Sequence, residues 1–134
     1  MRRLDALAVA HFVLIATMIL HAADHLRQGI GDLTPEVLWG GVALGAVVLA
    51  TLPLTLRRHP RAPLAAAVVG LGTAAAVSAS HLAPHWSAFS DPYPDLSVDA
   101  WSWGAMLAEI VAALAFAVVG LGAFRRVAQP APAA

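Results

Sequence analysis

The stretch Val37-Leu38-Trp39-Gly40-Gly41-Val42-Ala43-Leu44-Gly45-Ala46-Val47-Val48-Leu49-Ala50-Thr51-Leu52-Pro53-Leu54-Thr55-Leu56 contains no charged residue. A helix needs about 20 apolar residues to cross the hydrocarbon of a bilayer, so this stretch reads as a transmembrane span. Its beginning is marked by Thr34-Pro35-Glu36, with Thr34 placed to cap the helix and Pro35 at the first helical position. On its far side, Arg57-Arg58-His59-Pro60-Arg61-Ala62-Pro63 forms a short basic loop punctuated by proline.

Three further apolar runs flank this one. The helices are expected over about residues 4–27, 36–56, 63–83 and 100–124, which makes one four-helix domain over residues 1–126. The first run is too long for a signal-peptide core and leads directly into a polar cluster, so it is expected to be retained. Pro84 should end the third helix, because proline disfavours helical geometry in the residue before it. Residues 127–134, rich in Ala and Pro, are expected to be a disordered tail. The composition agrees with an all-α integral membrane bundle: 60% of residues are hydrophobic, 12% are charged, and mean hydropathy is +0.75.

Charge placement orients the bundle. Arg2, Arg3, Arg57, Arg58, Arg61, Arg125 and Arg126 fall on one side of a four-span topology and only Arg27 on the other, so both termini are expected in the cytoplasm. Trp39, Trp86, Trp101 and Trp103 cluster at the opposite boundary, as interfacial anchors do. The expected location is the cell membrane, as a multi-pass protein in contact with the bilayer. Eight basic residues balance eight acidic ones, which leaves no footprint for nucleic acid, and the absence of cysteine removes disulfides and thiolate chemistry.

What remains is imidazole and carboxylate chemistry, concentrated toward the outer face. His21-Ala22-Ala23-Asp24-His25 closes the first span, His81-Leu82-Ala83-Pro84-His85 closes the third, and Glu109 sits within the fourth. Ionisable groups inside membrane spans are costly and commonly functional. Positions i, i+3 and i+4 share a helical face, so His21, Asp24 and His25 can point together at a partner helix. Helical bundles build metal sites from such sets, and imidazole suits zinc, iron or copper.

The expected metal ligands are therefore His21, His25, His81 and His85, in a site opening to the outer face. Asp24 and Glu109 are the candidate catalytic carboxylates. With an open position on the metal, activation of a bound water with Glu109 as general base would make a metal-dependent membrane enzyme acting on a lipid-like substrate. Two alternatives stand beside this reading. One is electron transfer by haem b held between a histidine of the first helix and one of the third. The other is a non-catalytic accessory subunit or a proton or ion carrier.

Each candidate also has a plainer explanation. Histidines near the interface serve as solvated end groups, and Glu109 can bond a hydroxyl such as Ser78 or Thr73. His11, about 15 Å inward of His21 by helical rise, is expected to make an interhelical hydrogen bond. His59 receives no role, and Asp91, Asp95 and Asp99 read as a solvated loop surface. Gly41 and Gly45, with Gly70, Gly72, Gly120 and Gly122, allow close helix approach either within the chain or in a homodimer or larger membrane complex. The four-span pattern and the string His85-Trp86-Ser87-Ala88-Phe89-Ser90-Asp91-Pro92-Tyr93 resemble small bacterial membrane proteins, a likeness that implies no activity.

Overall fold

Capping chemistry at Asp5 and Thr34 starts the first two helices of the computed structural model, which describes residues 5–128. Asp5 accepts a hydrogen bond from the Ala8 amide at 2.9 Å, and Thr34 accepts one from the Val37 amide at 3.2 Å, each satisfying a donor that the first helical turn leaves free. Four helices result: α1 (Ala6–Gln28), α2 (Pro35–Leu56), α3 (Ala62–His81) and α4 (Ala100–Ala128). All four are long and apolar enough to cross a membrane. The expected start of the first helix at residue 4 and most of the expected tail lie outside the described residues, while α4 continues to Ala128.

The helices run up and down: residues 57–61 join α2 to α3 at one end, while at the other residues 29–34 join α1 to α2 and the long loop 82–99 joins α3 to α4. Arg58 pairs with Asp5 at 3.2 Å, which joins the end of α2 to the start of α1. At the other end, Thr34 donates to the Ala88 carbonyl, tying the start of α2 to the loop that follows α3.

Small residues set the closest contact. A methyl group built on Gly70 of α3 would lie 2.5 Å from the Ala113 carbonyl oxygen of α4, and one on Gly120 of α4 would lie 2.7 Å from the Pro63 carbonyl oxygen of α3. Two backbones can approach this closely only where no Cβ intervenes, and in lipid such packing stands in for a hydrophobic driving force. Gly41 and Gly72 have nothing within 4 Å of the corresponding position. Only Gly70 and Gly120 are thus required by the intrachain packing of α3 on α4.

The core of the bundle lies among α1, α3 and α4, where Leu14, Met106, Ala113 and Phe116 are fully buried. α2 joins through few buried groups, among which only Val48 and Thr55 count as buried. His11 makes that attachment. Its Nε2–H donates to the Val48 carbonyl at 3.0 Å and its Nδ1 meets the Thr55 hydroxyl at 3.0 Å, while the ring packs on Phe116 at 4.5 Å. This is the interhelical bond expected for His11.

The loop between α3 and α4 is built by specific bonds. Buried Ser90 accepts from the amides of Trp86 and Ser87 through its hydroxyl. The Asp91 amide donates to the Ser80 carbonyl at 2.9 Å, and Ser80 donates to the Phe89 carbonyl at 2.9 Å, so residues 89–91 are pinned to the end of α3. Asp99 then starts α4 by accepting from the Ser102 amide at 3.0 Å, a bond that holds its carboxyl below the usual range. The net effect is to fold Tyr93 inward, where it is 1% exposed.

Candidate metal centre

His21 and His25 project from α1 one turn apart, and His81 is the last residue of α3. Their rings meet: centroid separations are 4.7 Å for His21–His25, 5.0 Å for His21–His81 and 5.4 Å for His25–His81. One ring nitrogen from each lies within 4.8 Å of the others. Tetrahedral zinc, with Zn–N bonds of about 2.0–2.1 Å, places its ligand atoms about 3.4 Å apart. Small side-chain rotations close that difference.

The hydrogen bonds behind the rings set which nitrogens are available. His81 Nδ1 lies 3.0 Å from the Asp91 carbonyl oxygen, an acceptor only, so Nδ1 carries the proton and Nε2 keeps its lone pair. His21 Nδ1 lies 2.6 Å from Glu109 Oε2 in a buried side-chain pair. His25 is held by ring contacts, and its ring makes no hydrogen bond among the described residues. A carboxylate or carbonyl fixing one imidazole nitrogen while the other faces a common point is the usual support of metal-ligating histidines.

Glu109, 3% exposed, is thus committed to His21. The plainer partners Ser78 and Thr73 are not used.

Tyr93 completes the group, although no motif or spacing in the sequence singles it out. Its hydroxyl lies 3.3 Å from His21 Nε2, and its ring packs on His81 at 4.7 Å and on Trp103 at 5.6 Å. It covers the cluster from the loop side. Burial pushes its phenol up to about 12 and also raises the Asp91 carboxyl.

Tyr93 is the sole tyrosine, so alkaline titration of phenolate absorbance in metal-free protein reads this group alone. The folded protein is expected to titrate near pH 12 and the unfolded chain near pH ~10. Because the folded value is raised, the associated stability is present below the unfolded pKa and is lost as pH rises through the folded one. A folded-state midpoint matching the unfolded chain would contradict the burial of Tyr93.

The other predicted residues lie elsewhere. Asp24 is buried but turned toward α4, not into the histidine cluster. Arg27 Nε donates to its Oδ1 at 2.9 Å and Gln28 donates to its Oδ2 at 2.6 Å. Arg27 also reaches Asp99 and Ser102, both at 3.0 Å, so this network clasps the end of α1 to the start of α4. Removing the guanidinium leaves a buried carboxylate without its cation, a change of several kcal/mol at fully buried pairs. Arg27 is half-exposed, so Arg27→Ala is expected to destabilise the bundle by less than that buried limit. Thermal unfolding in detergent measures it. His85 is exposed beyond the end of α3 and stands outside the three-histidine group. Asp95 and Asp99 are exposed, as expected, while Asp91 is half-buried against His81.

The contact between the rings also bears on haem. A porphyrin held by two axial imidazoles needs a planar slot between them, whereas His21 and His81 touch directly at 5.0 Å. The arrangement suits a compact ion. Comparisons with protein-family models, with curated proteins and with solved structures find no match.

Proposed function

We propose that this chain is a multi-pass cell-membrane protein holding one transition-metal ion on His21, His25 and His81. The observation that carries the reading is the convergence of the three rings: one ring nitrogen from each lies within 4.8 Å of the others, while Glu109 and the Asp91 carbonyl each hold the Nδ1 of one ring. Three neutral imidazoles with a further side open correspond to the donor set of catalytic zinc sites, and zinc is the best match. Such a set supplies Lewis acidity at the open side of the ion.

In this reading Glu109 is a positioning residue. It fixes the orientation of His21 and raises the basicity of the nitrogen facing the ion, and the carboxylate bonded there is not free to serve as a base for substrate. Glu109→Gln keeps the shape and removes the charge. Zinc titration of the purified protein is expected to show affinity lowered about 10–100-fold, the usual range for such partners. Unchanged affinity in Glu109→Gln would deny the residue this role.

A further inference from the structure

α2 is fastened at its two ends and stands away from the bundle between them. His11 holds the Val48–Thr55 end, and Thr34, through its bond to the Ala88 carbonyl, holds the other. Between α1, α2 and α3 lies a cavity of about 780 Å³. Its α2 wall runs from Val37 to Leu49, roughly 18 Å at the rise of an α-helix. The walls are almost wholly aliphatic, with Ile15, Met18 and Leu44 among them. The polar groups, His21, His25, Ser80, His81 and Glu109, lie toward the loop end.

Glycines on α2 create part of this space. A methyl group on Gly41 would meet nothing within 4 Å, and one on Gly45 would meet only the Met18 methyl at 3.7 Å. The volume falls in the range of small-molecule sites, which combine apolar walls with a few convergent polar groups. Water gains little in an aliphatic slot of this kind, because ordered water needs several polar partners. A hydrocarbon chain matches both the length and the chemistry of the walls.

We infer that the cavity between α1, α2 and α3 binds one long hydrocarbon chain of a membrane amphiphile, with an oxygen-bearing head at the His21–His25–His81 end. The placement of the head rests on the metal reading, since an oxygen donor can take the open side of the ion. The placement of the chain rests on the cavity alone. Entry is lateral, past α2, because Tyr93 closes the loop side of the cluster.

Native mass spectrometry of the delipidated protein with added palmitate, together with metal content of the same samples, tests this. One palmitate per wild-type chain is expected, with at least tenfold less retained by Gly41→Phe, whose ring fills the slot, and unchanged metal content. Gly45→Leu fills the same space with a smaller side chain and serves where Gly41→Phe does not fold. Val118→Phe, on an exposed face of α4, is expected to retain palmitate fully. Palmitate bound without metal would support the slot and remove the metal reading. Metal without palmitate, equal retention by Gly41→Phe and Gly45→Leu, or a dimer that excludes palmitate would each overturn the inference.

Discussion

Gly70→Ala combined with Gly120→Ala is expected to separate α3 from α4 and abolish the folded bundle, although each change adds only one methyl group. Those methyl groups would fall 2.5 Å from the Ala113 carbonyl oxygen and 2.7 Å from the Pro63 carbonyl oxygen. The atoms in the way belong to helical backbone and cannot rotate aside. Overpacking a tight interior costs about 1–3 kcal/mol where side chains can adjust, and more where they cannot. Each single variant is therefore expected to lose about 3 kcal/mol, a large part of a typical protein's marginal stability. Gly72→Ala is the control: its position has nothing within 4 Å, and alanine favours helix by roughly 0.5–1 kcal/mol. Unfolding in detergent should rank the variants in that order. A double variant as stable as wild type would mean that α3 and α4 do not cross at these residues.

The second large effect concerns the histidines. Replacing His21, His25 or His81 by alanine is expected to lower zinc affinity more than about a hundredfold each, beyond the range typical of a supporting partner. His85→Ala and His59→Ala are expected to leave it unchanged, since one is exposed beyond α3 and the other lies in the basic loop, where its Nδ1 accepts from the Arg61 amide at 3.1 Å. His11→Ala offers a different contrast. It should weaken the hold on α2, through the lost bonds to Val48 and Thr55, without touching the ligand set. An equal loss of affinity in His85→Ala would place the ion nearer the loop than the ring geometry does.

Hydropathy made the four helices readable because in lipid the backbone must satisfy itself, which leaves long apolar helices as the only open form of span. Their ends were less plain. α3 stops at His81, earlier than expected from Pro84, where the Ala83 amide turns back to the Ser78 carbonyl at 3.3 Å and the Ala79 carbonyl accepts from the Trp86 indole. That early end frees the His81 ring to meet the two histidines of α1 and leaves His85 outside.

Within the site, the i, i+4 spacing of His21 and His25 was legible, as was the placing of His81 and Glu109 toward the same outer face. Asp24 shared the same helical segment, yet its partner is Arg27, three residues on and on the same side of the helix. Helical spacing alone does not decide between an ion pair and a ligand. Tyr93 escaped notice because it lies in a loop with no periodicity, whose path is fixed by distant bonds from Ser80 to Phe89 and Asp91. Its flanking prolines, Pro92 and Pro94, were the only local hint of a rigid turn. The cavity left no mark of its own beyond the glycines of α2, since open space is a property of how helices are fastened.

Metal stoichiometry by elemental mass spectrometry, on protein purified in detergent without chelator, tests the central claim most directly. The wild-type chain is expected to carry close to one transition-metal ion, and a His21→Ala/His81→Ala double variant that folds is expected to carry none. A metal-free wild-type protein, or a double variant with its metal intact, would contradict the account.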